Sequence, residues 1–102
     1  MSSKTFVIGQ DKNYKGKLPK QVVENAITKF EKVYEKYSSE NKTIEAFELN
    51  GGTGLTAGAE DSWNEFEMQY NKKGIDAIYN TSTDMNKITK KLRIRVENMN
   101  RN

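Results

Sequence analysis

Asn50-Gly51-Gly52-Thr53-Gly54-Leu55-Thr56-Ala57-Gly58-Ala59-Glu60-Asp61-Ser62-Trp63 holds four of the seven glycines and the only tryptophan of this 102-residue chain, and it lies at the midpoint. Glycine reaches positive φ at little cost, and Asn-Gly is a strong turn signal. A preceding helix must therefore stop near Leu49. Restart signals follow: Thr56 is an acceptable N-cap, and Glu60 and Asp61 sit where the positive end of a helix dipole favours carboxylates. Read this way, the stretch is a corner between two helices. A rival reading makes it a β-hairpin, Ile44–Leu49 pairing across Asn50-Gly51 with Thr53–Thr56.

Upstream of the corner, Leu18-Pro19 opens a helix, since proline is tolerated in a first turn. Val22, Val23, Ala26, Ile27, Phe30, Val33, Tyr34 and Tyr37 recur at three- and four-residue steps, one face of a helix. The polar patch Ser38-Ser39-Glu40-Asn41 weakens the stripe, and Ile44 and Phe47 resume it. The first helix is thus expected over about residues 18–48, the turn over 49–57 and a second helix over 58–100. Residues 1–17, with a short alternating Thr5-Phe6-Val7-Ile8 and a turn-rich tail, read as an extended arm.

Along the second arm, Trp63, Phe66 and Tyr70 form a first stripe. Ile78, Met85, Leu92 and Met99 follow at seven-residue steps, with Ile75, Ile88 and Val96 beside them, a coiled-coil-like seam. Gly74 interrupts the arm and predicts a kink or a close helix contact. Carboxylates (Glu60, Asp61, Glu65, Glu67) precede cations (Lys87, Lys90, Lys91, Arg93, Arg95, Arg101), the order a helix dipole prefers. The expected fold is all-α: an antiparallel helical hairpin with a short N-terminal arm, completing a four-helix bundle by dimerisation.

Composition bounds the function. Hydrophobic residues make up 34% and charged residues 30%, so a single domain with a thin core is expected. There is no cysteine and no histidine, which removes disulfides, thiolate metal sites and the commonest general base. Neither enzyme activity, nor a metal, nor a cofactor is expected. No apolar run reaches the ~18 to 20 residues of a membrane span, and Met1–Gln10 lacks the apolar region of a signal peptide. The expectation is a protein made in the cytoplasm, whose export would use no cleaved signal.

Gly51-Gly52-Thr53-Gly54 suggests a phosphate loop, but no Gly-Lys-Ser/Thr follows, and Glu60 and Asp61 would repel an anion at the next helix start. The acidic cluster Glu60, Asp61, Glu65 and Glu67 fixes no coordination geometry.

The run Leu55-Thr56-Ala57-Gly58-Ala59-Glu60-Asp61-Ser62-Trp63 resembles the turn of the WXG superfamily of small type VII secretion proteins, in which Trp-x-Gly joins two helices. Leu55 takes the Trp position, Ala57 the Gly position with Gly58 adjacent, and Trp63 the aromatic on the following helix. Both name-giving residues are replaced. The family's Tyr-x-x-x-Asp/Glu export signal is missing, since Tyr70 is followed four later by Gly74 and Tyr79 by Thr83. The resemblance implies a secreted substrate, or an adaptor for a helical effector, acting as a homodimer or heterodimer. Its partner-binding residues would be Phe66, Tyr70, Ile78, Met85, Ile88, Leu92 and Val96. The alternative is nucleic-acid binding by the basic C-terminal segment, supported by a net charge of +3.

Overall fold

The computed structural model describes residues 5–83, which form β1 (Thr5–Lys12), α1 (Lys20–Ser39), β2 (Thr43–Gly51), α2 (Ala57–Asn71) and β3 (Asp76–Asn80). The three strands make one sheet in the order β1-β2-β3, and both pairings are parallel. Two successive strand–helix–strand units therefore share β2. The all-α hairpin and the four-helix bundle built on it are overturned: this is an α/β fold.

Helix α1 forms where the apolar spacing places it, and Val23, Ala26 and Phe30 are its buried residues. It stops earlier than the resumed stripe suggested. Asn41 turns the chain with φ 58°, and the Lys42 amide donates back to the Tyr37 carbonyl at 2.9 Å. A single left-handed residue of this kind ends a helix, and Asn tolerates it better than most.

Beyond that point Ile44 and Phe47 are three residues apart by coincidence. Phe47 and Leu49 set the true period of two, and the chain is buried continuously from Ala46 to Gly51. Such a run fits the central strand of a parallel sheet, paired on both edges. The register shifts at Glu45, because Phe6 pairs with Ile44 and Val7 with Ala46, which places a bulge there.

Helix α2 carries the expected cap, the Thr56 hydroxyl accepting from the Ala59 amide at 3.3 Å. Its buried residues are Ala59, Trp63, Phe66 and Tyr70. Gly74 ends this helix rather than kinking a longer one. It has φ 81°, and the Ile75 amide donates to the Tyr70 carbonyl at 3.0 Å across it, a glycine-terminated helix end. No atom lies within 4 Å of where a Gly74 Cβ would be, so backbone conformation alone calls for glycine.

Both helices lie on one face of the sheet. Phe30 of α1 stacks against Phe66 of α2 at 5.8 Å and tilts against Phe47 of β2 at 4.6 Å, and Phe47 meets Tyr70 edge-on at 5.4 Å. Trp63 sits 5.1 Å from Phe66, so one aromatic cluster joins both layers. Each such side chain contributes roughly 1.5 to 3 kcal/mol on full burial. By alternation, Ile8, Phe47, Leu49 and Ala77 face the helices, whereas Val7, Gly9, Ala46, Glu48, Asn50 and Ile78 face the other way.

Candidate strand-end site

The three strands end together at their carboxyl edge, at Lys12, Gly51 and Asn80. In open parallel sheets the loops leaving this edge surround the ligand crevice. Here two of them are fastened to each other. The Leu18 amide donates to the Gly54 carbonyl (2.9 Å), the Thr56 amide to the Leu18 carbonyl (3.1 Å) and the Thr53 amide to the Gly16 carbonyl (3.0 Å). Leu18 and Leu55 thereby form a parallel bridge that continues the sheet past its strands.

This fastening accounts for two of the glycines. A Cβ on Gly51 would stand 2.0 Å from the Lys12 carbonyl oxygen, and one on Gly52 2.8 Å from that of Gly16. Both also have positive φ, 126° and 71°. Only glycine lets the loops approach this closely. Gly54 differs: its φ is 152°, yet a Cβ there would meet nothing nearer than the Lys17 side chain at 3.8 Å.

Beneath the loops runs a polar ladder across all three strands. The Asn80 side-chain Nδ2 donates to Asn50 Oδ1 at 2.9 Å, and Asn50 Nδ2 donates to Asp11 Oδ1 at 3.0 Å. Asn50 and Asn80 are buried, and Asp11 is exposed at the sheet edge. Two further ties close the edge: the Tyr79 hydroxyl donates to the Gly51 carbonyl at 2.6 Å, and the Ser82 amide and hydroxyl both donate to the Gly52 carbonyl at 2.9 Å.

Charge is divided unequally between the loops. Lys12, Lys15, Lys17 and Lys20 line the β1–α1 connection, with Tyr14 exposed among them. Helix α1 has Pro19 at its N-cap position, with no side-chain cap and no acidic residue in its first turn. The Val22 amide donates to the Pro19 carbonyl at 3.1 Å, and the positive dipole end of this start lies among lysines, a setting that favours an anion. Helix α2 begins with its cap occupied by Thr56 and with Glu60 in its first turn.

Among the described residues, the groups with perturbed proton affinity lie elsewhere. Burial raises the Tyr70 hydroxyl, with Glu31, Tyr34 and Glu35 adding to it. A hydrogen bond from Lys42 lowers the Glu40 carboxyl, and the same bond raises Lys42. Among the described residues no group of three or more His, Cys, Asp or Glu could hold a metal ion. A shallow groove of about 420 Å³ between the helices, lined by Glu24, Ile27, Glu31, Ser62, Glu65 and Phe66, lies on the helix layer's flank and involves no strand-end loop.

The residues singled out from sequence scatter over this fold. Leu55 is half-buried in the loop bridge, Ala57 is the exposed first residue of α2, and Gly58 lies against Lys20, 3.3 Å from its would-be Cβ. Trp63, Phe66 and Tyr70 are core residues, between 2% and 5% exposed, and so offer little surface to a partner. Ile78 is 37% exposed on the opposite face of the sheet, so it shares no seam with them. Met85, Ile88, Leu92 and Val96 lie outside the described residues, as do the basic residues of the nucleic-acid alternative.

The strand-end residues Asp11, Lys12, Lys15, Lys17, Asn50 and Asn80 were not apparent as a group. One signal exists: three short apolar runs each close on Asp or Asn (Asp11, Asn50, Asn80). Its meaning requires the strand order. Comparison with family models, with curated proteins and with solved structures gives no match for this chain.

Proposed function

We propose that this chain binds a nucleoside phosphate at the carboxyl edge of its sheet, as a binding module without a reaction of its own. The observation that carries the reading is topological. A parallel strand–helix–strand–helix–strand unit in the order β1-β2-β3, with both helices on one face, is the arrangement of a mononucleotide-binding half of a doubly wound fold. It sets a basic, uncapped helix start beside a glycine-rich loop.

The phosphate is assigned to the start of α1, where Lys15, Lys17 and Lys20 supply charge and the positive end of the helix dipole adds to it. Tyr14, 43% exposed in the same loop, offers a ring face to the base. Glu60 at the start of α2 disfavours the phosphate there, so the Gly51–Thr56 loop serves as the wall of the site rather than its anion cradle. The described residues form an α/β fold rather than the helical hairpin from which a secretion-adaptor role was expected.

Titration calorimetry with ADP, adenosine and inorganic phosphate tests the reading. ADP should bind, adenosine should bind more weakly, and affinity should fall as salt rises. The double variant Lys15→Glu/Lys17→Glu should lose at least about tenfold in ADP affinity, equivalent to ~1.4 kcal/mol. Absence of ADP binding to the unaltered chain at low salt overturns the proposal.

A further inference from the structure

We propose that the groove between α1 and α2 takes the basic β1–α1 loop of a second copy of this chain, so that copies associate head to tail. Glu24, Glu31 and Glu65 stand around Ile27 and Phe66 in this groove, and no described residue lining it is basic. All three carboxylates are exposed, and the Ser62 hydroxyl donates to Glu24 at 3.3 Å, which holds that carboxylate at the groove. Past Thr28 and Glu31 the trough continues between Tyr34 and Tyr70, where Lys32 and Lys73 offset Glu35. Negative charge is therefore concentrated in the first stretch, over an apolar floor, on a chain whose net charge is +3.

The β1–α1 loop is the matching surface. Lys12, Lys15, Lys17 and Lys20 outnumber Asp11, and Tyr14 stands among them, 43% exposed. The loop's backbone is fastened at Gly16 and Leu18 to the neighbouring loop, so its tip is presented from a fixed base and little ordering is left for docking to impose. No residue of the loop lines the chain's own groove, so the match is one between copies. A tyrosine seated on Ile27 and Phe66 with lysines paired to the carboxylates at the rim has the anatomy of an interface anchor. Because loop and groove are different surfaces, the contact is heterologous and builds chains or rings. One loop in one groove is a small interface, which makes the association weak and sensitive to salt. The association does not rest on the nucleotide reading; a bound phosphate would hold the same lysines, so it is measured without nucleotide.

Sedimentation velocity of the full chain at concentrations up to about 1 mM, at low salt and at ~0.5 M salt, tests the contact. The sedimentation coefficient should rise with concentration at low salt, and high salt should suppress the rise. Glu31→Lys/Glu65→Lys and Lys15→Glu/Lys17→Glu change exposed positions only, and circular dichroism melts check that each variant folds. Each variant alone should associate at least about tenfold more weakly than the parent. An equimolar mixture of the two should regain association, because the reversed loop then meets the reversed groove and the native loop meets the native groove. A parent chain that stays monomeric at low salt, or a mixture that regains nothing, overturns the proposal. So does a loss confined to the groove variant, which would show that a different basic segment fills the groove.

Discussion

The two strand-to-helix loops leave the same edge of the same sheet but are built differently. The loop after β2 has glycines at positive φ, a capped helix start and a carboxylate in the first turn. The loop after β1 has lysines, an exposed tyrosine and an uncapped helix start. One loop has its backbone shaped by its neighbour. The other has exposed side chains, Tyr14, Lys15 and Lys17, left over for something else. Glycine content, the most conspicuous feature of the sequence, therefore marks the scaffold, and the less conspicuous lysine loop marks the proposed site.

Substitutions can break this contrast, and the largest effect is expected at Gly51. Gly51→Ala places a Cβ 2.0 Å from a backbone oxygen at φ 126°, so the loops must part. A loss of ~3 kcal/mol or more in denaturant unfolding is expected; a neutral result would show that the loop contact is not needed. Asn50→Ala should come next, because it strands the buried Asn80 amide and removes the donor to Asp11, at ~1 to 3 kcal/mol. Asn50→Asp would keep the acceptor for Asn80 but set a second carboxylate beside Asp11, so its stability should fall as pH rises through the carboxylate range.

Gly54→Ala sharpens the comparison within one loop. Its φ is 152°, but no backbone atom crowds the new methyl, so ~1 to 2 kcal/mol is expected, less than at Gly51. Thr56→Ala removes only a cap, worth ~1 kcal/mol in the same assay. At the other end of the scale, Lys15→Glu/Lys17→Glu should leave the unfolding midpoint within ~0.5 kcal/mol of the parent. These lysines are exposed, and their loss should be felt in binding, not in folding. A large stability loss there would mean that the basic loop is scaffold too.

Helix α1 and the Thr56 cap were legible, because helical periodicity and capping are local properties, whereas Phe66 and Tyr70, read as partner-binding, are buried in the core. The span from Thr43 to Gly51 was misread for a physical reason. Phe47-Glu48-Leu49-Asn50 alternates as a strand does, but the bulge at Glu45 breaks the alternation before it and leaves Ile44 and Phe47 at a helical step. Gly74 was seen as an interruption, but the break between α2 and β3 could not be distinguished from a kink without knowing that Ala77 would pack beside Phe47. The glycines of the corner were correctly read as a backbone requirement, although the cause, a neighbouring loop at contact distance, lies some forty residues away in the chain.

By itself the sequence determined the turn that follows Asn50, where α1 begins and where α2 is capped. These depend on φ preferences, caps and local spacing. Tertiary structure alone decided that Thr43–Gly51 is the central strand, that Asp11, Asn50 and Asn80 meet in one ladder, and that a basic loop faces a glycine-rich one. Each of those is a pairing between segments distant in the chain, and its free energy comes from a neighbour that local sequence does not name.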